Sequence, residues 1–172
     1  MARTASTDAI ALLKADHRKV EHLFAEFEKA KAQSRKKTLA DQICLELSVH
    51  TRIEEDVFYP ACRADGVDGD LMNEAYVEHD GAKVLVREIE KGEPGSDYYD
   101  SQVKVLSEMI KHHVKEEEKK QGNMFAKAKK AGVDTDALGR QMADEKKKLT
   151  ADYKKNGLPE LSTTTFKGTQ LA

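Results

Sequence analysis

Three observations in the sequence predict an all-α fold, an up-and-down antiparallel four-helix bundle with an additional C-terminal helix. Apolar residues recur at helical spacing in four long segments and one shorter segment. Charged residues make up 35% of the 172 residues, aromatic residues make up 6%, and there is no tryptophan. The three prolines all lie outside the long periodic segments. This composition is typical of a helical chain that folds as one domain.

The first two helices are predicted from apolar stripes that end at recognisable signals. A Thr7-Asp8 cap precedes the first stripe. Polar residues 31–37 form the connection to the second stripe, which ends at Phe58-Tyr59-Pro60 because proline interrupts a helix. The first stripe comprises Ile10, Leu13, His17, Val20, Phe24 and Phe27, and the second comprises Leu39, Ile43, Leu47, His50, Ile53, Glu54 and Val57.

The other helices follow two turns that contain glycine, at residues 64–70 and 91–96. We predict the third helix over about 71–90, the fourth from 97 onward, and a shorter fifth from a Thr135 cap to about 154. The chain then divides into a bundle (8–130), a C-terminal helix (131–155) and a flexible tail (156–172), which is rich in Gly, Ser and Thr.

Four histidines are predicted to meet at one height in this bundle. His17 and His50 are 33 residues apart, and His79 and His113 are 34 residues apart. The midpoint between each consecutive pair falls in a predicted connection. In an up-and-down bundle, residues equidistant from their shared turn stand at the same level. We therefore expect the four imidazoles to converge in the core.

Two glutamates join this layer, because Glu54 and Glu117 follow His50 and His113 by four residues and lie on the same inner stripes. The spacing alone is weak, since His22 also has a glutamate four residues on, but that pair lies on the solvated face. A buried carboxylate without a partner costs several kcal/mol, on the order of 3–5. The alternative is ordinary core histidines and a solvated helix end. The candidate metal ligands are His17, His50, Glu54, His79, His113 and Glu117.

Mixed imidazole and carboxylate ligands suit iron, manganese or zinc. Two ions that each take two histidines and share both carboxylates would use every candidate ligand and leave positions open for a small exogenous ligand. Glu21 and Glu46 lie near the inner stripes and are weaker candidates. Ferritin-like bundles use Glu-x-x-His, and no histidine in this sequence has a glutamate three residues before it.

The charge balance and the absence of apolar runs exclude several other classes of protein. The formal charge of −2 arises from 29 basic and 31 acidic residues, so no net field favours nucleic acid or an anionic membrane. We find neither a signal-peptide core nor an apolar run of roughly 18 residues. We therefore expect a cytoplasmic protein, and the sequence identifies no protein partner. Cys44 and Cys62 are expected to be reduced structural thiols.

Four motifs distributed over about residues 8–130 share this pattern of adjacent acids and histidines. They are Asp16-His17, His50-x-x-x-Glu54-Glu55 with Phe58-Tyr59-Pro60, Glu78-His79, and His113-x-x-x-Glu117-Glu118 with Met124-Phe125. Together they resemble the bacterial hemerythrin-like domain, also called the HHE cation-binding domain. The resemblance implies a four-helix bundle around a non-haem centre of two iron ions with an oxo or hydroxo bridge. It also implies that the four histidines are terminal ligands and the two glutamates bridge.

Two departures from that family pattern affect the prediction. Oxygen-carrying hemerythrins have a second histidine four residues after the first on the third helix, whereas this sequence has Lys83 there. A carrier-type site with five histidines is therefore not expected unless Glu21, Glu46 or a tyrosine substitutes. In addition, Met124-Phe125 lies three residues further from its glutamate than Phe58-Tyr59 does. The fourth helix is either longer or broken at Gly122-Asn123.

The leading hypothesis is a di-iron protein that binds or senses oxygen, nitric oxide or peroxide, or handles iron, in a stress response. A second hypothesis is an enzyme in which the same centre turns over hydrogen peroxide or nitric oxide, because binding and turnover need the same ligands. A third is a metal-free helical module that binds a protein partner.

Overall fold

Helices account for every regular element in residues 8–167, the part of the chain that the computed structural model describes. The predicted all-α class is confirmed. Two π-helical turns are part of this architecture, π1 between α2 and α3 and π2 after α5. The elements are α1 (Ala9–Lys29), α2 (Gln33–Ile53), π1 (Glu54–Phe58), α3 (Tyr59–Ala64), α4 (Gly69–Lys91), α5 (Tyr99–Val114), π2 (Lys115–Lys119), α6 (Met124–Ala131) and α7 (Thr135–Asn156).

Four long helices, α1, α2, α4 and α5, pack in a ring, and each neighbour in the ring runs antiparallel to the next. Along α1 and α2, for example, Asp16 faces His50 whereas the later Lys19 faces the earlier Glu46. The additional helix α7 lies along α1 and α2 on the outside of the ring. The predicted bundle with a further C-terminal helix is therefore confirmed.

The core consists of two apolar clusters with a polar layer between them. On α1, Leu13 belongs to the first cluster and Val20 to the second, and the buried His17 lies between them. The same order occurs on α4, where His79 separates Ala75 from Ala82. The first cluster also contains Ile53, Phe58, Met72, Met124, Phe125 and Met142, and the second contains Phe24, Ile43, Leu47, Tyr99, Leu106 and Ile110.

Several helix boundaries differ from the prediction. The connection predicted over 31–37 is much shorter, because α2 begins at Gln33. Its first turns are polar but good helix formers, and Lys37 pairs with Asp41 one turn later at 2.9 Å. At the start of α1 the side chain of Asp8 caps the helix as predicted, accepting from the backbone N–H of Ala11. At α7 the cap is Asp134 and not Thr135.

The predicted end of the second helix at Phe58-Tyr59-Pro60 is wrong, because the helix continues through π1 into α3 and ends at Ala64. In π1 the N–H of Tyr59 donates to the carbonyl of Glu54, five residues earlier. Pro60 then occupies the first turn of α3, where a missing N–H is tolerated. The widened turn therefore accommodates a proline that would otherwise interrupt the helix.

The fourth helix is broken at Gly122-Asn123, one of the two arrangements predicted from the sequence, and does not continue as one longer helix. The turn π2 ends where the N–H of Lys120 donates to the carbonyl of Lys115 at 2.8 Å. Gly122 has φ +69°, a conformation that favours glycine, and Asn123 then caps α6 by accepting from Ala126. Met124 and Phe125 thus enter the first cluster from a separate helix.

The segment after α7, which the sequence suggested would lie loosely, makes defined contacts in its described part. The backbone N–H groups of Thr164 and Thr165 donate to the buried carboxylate of Asp80 on α4. Glu160 accepts from Arg87 at 2.7 Å. These bonds hold residues 160–165 against α4. Residues 168–172 lie outside the described part of the chain.

Both cysteines are free and buried, as expected, in different apolar clusters. Burial raises the pKa of each thiol to about 12. Neither thiol is therefore ionised near neutral pH. Among the described helices, we find none with the length and apolar character needed to cross a membrane.

Candidate metal centre

The six residues predicted from the sequence meet in one buried layer, and we call them the central layer: His17, His50, Glu54, His79, His113 and Glu117. Ligand atoms from His17, His50, Glu54, His113 and Glu117 all lie within 4.8 Å of one another. The Nε2 atom of His79 joins them, at 3.2 Å from Glu54 and 3.4 Å from the Nε2 atom of His113. The predicted common height of the histidines is therefore observed.

The Nε2 atoms of all four histidines point inward. The Nε2 atoms of His17 and His50 are 3.2 Å apart. Glu54 lies 3.2 Å from the Nε2 atom of His50, and Glu117 lies 3.3 Å from that of His17. Each carboxylate also reaches a second histidine, since Glu117 lies 3.4 Å from His113. This places each glutamate between two imidazoles.

Tyr59 also reaches the central layer. The sequence analysis allowed for a tyrosine at the site but did not identify which one. Its hydroxyl donates to Glu117 at 2.7 Å and lies 3.3 Å from both Glu54 and the Nε2 atom of His79. In a regular α-helix, a residue five positions after Glu54 would be rotated by about 140° from it. The wider turn π1 brings Tyr59 back to the face that carries Glu54. The sequence could have shown this position only if the π turn had been predicted.

An outer set of four carboxylates surrounds the central layer. Each one faces the Nδ1 atom of a histidine on the next helix around the ring. The distances are 3.5 Å from Asp16 to His50, 3.0 Å from Glu55 to His79, 2.8 Å from Glu78 to His113 and 3.6 Å from Glu118 to His17. Glu55 and Glu78 lie at hydrogen-bonding distance, and an acceptor at Nδ1 directs the proton there and leaves Nε2 free for a metal. Asp16 and Glu118 face their histidines at ion-pair distance, and the Nδ1 atoms of His50 and His17 have no hydrogen-bond partner among the described residues.

Each outer carboxylate is in turn paired with a basic side chain. Asp16 pairs with Lys146 of α7, and Glu118 pairs with Arg18 of α1. Glu55 accepts from Lys83 at 2.8 Å, and Glu78 lies 3.2 Å from the Nε2 atom of His112. In the sequence, each of these four acids stands directly beside one of the candidate ligands. Only the fold shows which histidine each acid faces.

Burial and neighbouring charges shift several of these groups in opposite directions. Burial opposes a charged His50, but Glu54 and Asp16 outweigh it and raise the pKa of His50 to about 10. The pKa of His113 is also raised, because Glu117, Glu54 and Glu78 outweigh burial. Burial and the charge of Glu54 oppose ionisation of Glu117, yet His113 and His17 lower its pKa to about 2. These shifts favour imidazolium–carboxylate pairs in the metal-free protein.

The other residues considered from the sequence lie outside the central layer. Glu21 pairs with Arg18 at the surface, 3.1 Å apart. Glu46 pairs with Lys19 at 2.5 Å, at the edge of the site. Lys83, which stands where carriers have a further histidine, bonds Glu55 and Asp80. His22 is exposed, as predicted.

The chemistry of the central layer fits a metal. Buried polar atoms without a hydrogen-bond partner in residues 8–167 include Oε1 of Glu54 and Oε2 of Glu117. Buried unpartnered carboxylate oxygens are unfavourable unless something else satisfies them. Four inward Nε2 atoms and two carboxylates form a nitrogen and oxygen donor set that a transition metal accepts. The cluster is therefore consistent with a metal site.

A ring of antiparallel helices around a buried histidine and glutamate layer defines a cation-binding helical bundle. The chain belongs to the Hemerythrin family, whose Hemerythrin HHE cation binding domain matches residues 8–125. The resemblance noted from the sequence motifs is therefore confirmed.

Two known proteins illustrate these relationships. The fold is similar to the crystal structure of a Hemerythrin HHE cation binding domain-containing protein, the Rv2633c homolog from Mycobacterium kansasii. The TM-score is 0.72 and the sequences are 20% identical, over 87% of this chain and 94% of that one. The chain is also 30% identical over 107 residues to a DNA nickase from Nostoc sp.. That match covers 62% of this chain but 30% of the relative, so the chain spans under a third of its length.

Metal binding is expected to release protons. His50 and His113 hold protons at neutral pH in the metal-free protein because their pKa values are raised, whereas a metal requires neutral imidazole. Affinity should therefore rise as the pH increases towards about 10, the pKa of His50. Calorimetric titration with a divalent metal in buffers of different ionisation heat measures the release. Heats that do not depend on the buffer would contradict this assignment of charges.

The outer carboxylates are expected to tune metal affinity without being ligands. Glu55→Gln removes the charge that faces Nδ1 of His79, so metal affinity should fall about 10- to 100-fold. Glu108→Gln is the matched control, because Glu108 is an exposed carboxylate that pairs with Lys111 on the outside of α5. Competition with a chromogenic chelator measures both variants. Equal losses in the two, or no loss in Glu55→Gln, would contradict an orienting role.

Proposed function

We propose that this protein holds two iron ions in the central layer and that this centre binds or senses a small molecule, O2, NO or peroxide, or handles iron, in a stress response. His17, His50, His79 and His113 would each supply Nε2, and Glu54 and Glu117 would be shared between the ions. Two such ions use every inward ligand and retain open positions. An iron pair supplies a change of oxidation state and a place for a small ligand to bind.

The observation that carries this proposal is the set of four outer carboxylates. Each faces the Nδ1 side of one histidine, so all four Nε2 atoms are presented to the same space. A packed core without a metal does not need such an arrangement, because each buried histidine can find its own hydrogen-bond partner without pointing at the other three. Histidines that bind metals characteristically have this kind of partner on their second ring nitrogen.

The space beside the central layer favours a small ligand. A cavity of about 10 Å³ borders the second apolar cluster and is lined by residues that include His17, His50, His79 and His113. This is room for about one water-sized molecule. Leu47 and Thr51 line both this cavity and a larger one of about 430 Å³ between α2, α4 and α7. So small a space favours a very small ligand over a larger organic substrate.

The family resemblance favours iron over manganese and zinc, since the nitrogen and oxygen ligands suit all three metals. Oxygen carriage is not proposed, because Lys83 occupies the position of the additional carrier histidine. It is engaged by Glu55 and Asp80 instead. A sensing or reactive role is therefore preferred. The cytoplasmic location expected from the sequence stays a prediction.

Tyr59 favours the enzymatic alternative, turnover of hydrogen peroxide or nitric oxide. Its hydroxyl lies within 3.3 Å of three members of the central layer. Burial together with Glu117 and Glu54 raises the pKa of this phenol well above its usual value, so it keeps its proton at neutral pH. A protonated phenol beside the site can donate a hydrogen bond or a proton to a bound ligand.

Tyr59→Phe separates binding from turnover, because it removes the hydroxyl and keeps the ring. If the protein is an enzyme that uses this proton, the variant should bind iron normally and lose about 10²-fold or more of its turnover of peroxide or nitric oxide. Steady-state assays of the iron-loaded protein measure this. Wild-type rates no better than free iron would exclude the enzyme and leave binding or sensing.

We do not propose for this chain the DNA-cleaving activity that the name of the Nostoc relative describes. DNA binding relies on neutralising phosphates with basic residues, and the formal charge here is −2. The chain also spans only 30% of that relative.

The third hypothesis, a metal-free module that binds a protein partner, would be supported by protein from iron-replete cells that contains no metal.

Substituting the inner ligands should remove the metal. His113→Ala and Glu117→Ala each delete one inward donor, and we expect both variants to lose bound iron together with the near-ultraviolet absorption of the iron pair. His22→Ala is the control, because His22 is exposed. Elemental analysis and absorption spectra of the three purified variants provide the measurement. Full iron retention in both ligand variants would refute the assignment, provided that circular dichroism shows native helix content.

A further inference from the structure

A second group of metal-ligating side chains lies on the outer face of α4 and α5. Glu74 and Glu78 are four residues apart on α4, and His112 lies across from them on α5. One ligand atom from each of the three lies within 4.8 Å of the other two. The side chain of His112 is 57% exposed and that of Glu78 is 17% exposed. A solvated cation can therefore reach this group from outside the protein.

This group differs from an ordinary solvated ion pair in two respects. Glu78 is held in place by the interior, because its Oε2 atom accepts from the Nδ1 atom of buried His113 at 2.8 Å. That bond turns the other oxygen, Oε1, outward to 3.2 Å from the Nε2 atom of His112. Glu74, meanwhile, makes no hydrogen bond or ion pair with the residues at 8–167. One ligand is thus preoriented and another is available.

We propose that Glu74, Glu78 and His112 form a second, surface site for a divalent cation. One imidazole and two carboxylates are ligands that suit Mn²⁺, Fe²⁺ or Zn²⁺, and water completes the coordination at an exposed position. The cation binds where His112 and Glu78 face each other, 3.2 Å apart. It does not require the central layer to contain metal.

The surface site shares Glu78 with the surroundings of the central layer. A cation on Oε1 withdraws electron density from Oε2, the atom that accepts from His113. His113 then becomes a weaker electron donor at its inward Nε2 atom. Occupancy of the surface site is therefore communicated to the central layer through one carboxylate.

The test counts Mn²⁺ ions bound to full-length protein that a chelator has first stripped of metal. Free Mn²⁺ gives a six-line electron paramagnetic resonance signal, so its loss reports bound ions. The double variant Glu74→Gln/His112→Gln should bind one Mn²⁺ per chain fewer than the wild type. The control is His22→Gln/Glu26→Gln, which changes an exposed histidine and a glutamate four residues later on α1 without a third ligand. The control should bind as many ions as the wild type.

Comparing the variants with the wild type makes the result independent of how many ions the central layer takes. Equal Mn²⁺ binding by the wild type and the Glu74/His112 variant would overturn the proposal. The loss of one ion in the control as well would overturn it too, because a general charge effect would then explain both.

Discussion

The fold depends on burying ionisable side chains from four helices in one layer, where each histidine faces a carboxylate from the neighbouring helix. An isolated buried charge is very unfavourable, and even a paired one stabilises little unless its remaining hydrogen-bonding atoms find partners. Here the partners come from the neighbouring helices in turn. Asp16 of α1 faces α2, Glu55 of π1 faces α4, Glu78 of α4 faces α5, and Glu118 of π2 faces α1. All four of these contacts can form only when the four helices are in register.

The two π turns make this ring possible. Both of them contain a glutamate of the central layer and the next acid in the chain. Π-helical turns are uncommon and occur mostly at functional sites, where they redirect side chains. In π1 the widened turn presents Glu54 and Tyr59 to the same space and also accommodates Pro60. The turn π2 ends the helix that begins with α5. Phe125 therefore lies on the separate helix α6, where its ring stacks on His17 with ring centroids 6.1 Å apart.

Much of this could be predicted from the sequence, because helical periodicity and the symmetric spacing of His17, His50, His79 and His113 are local or nearly local signals. The six inward residues follow from the stripes on which they lie. The π turns were missed because they depend on tertiary packing and not on composition. The short connection before α2 was missed because its polar residues are also good helix formers. The docking of Thr164 and Thr165 on Asp80 depends on a contact across 84 or more positions in the chain.

The central claim is that the central layer holds two iron ions. The measurement that tests it most directly is the metal content and absorption spectrum of the full-length protein purified from iron-replete cells. Our account predicts a ratio near two irons per chain and the near-ultraviolet absorption of a bridged iron pair. Protein that is folded but contains no metal, or a single zinc ion without such absorption, would contradict it.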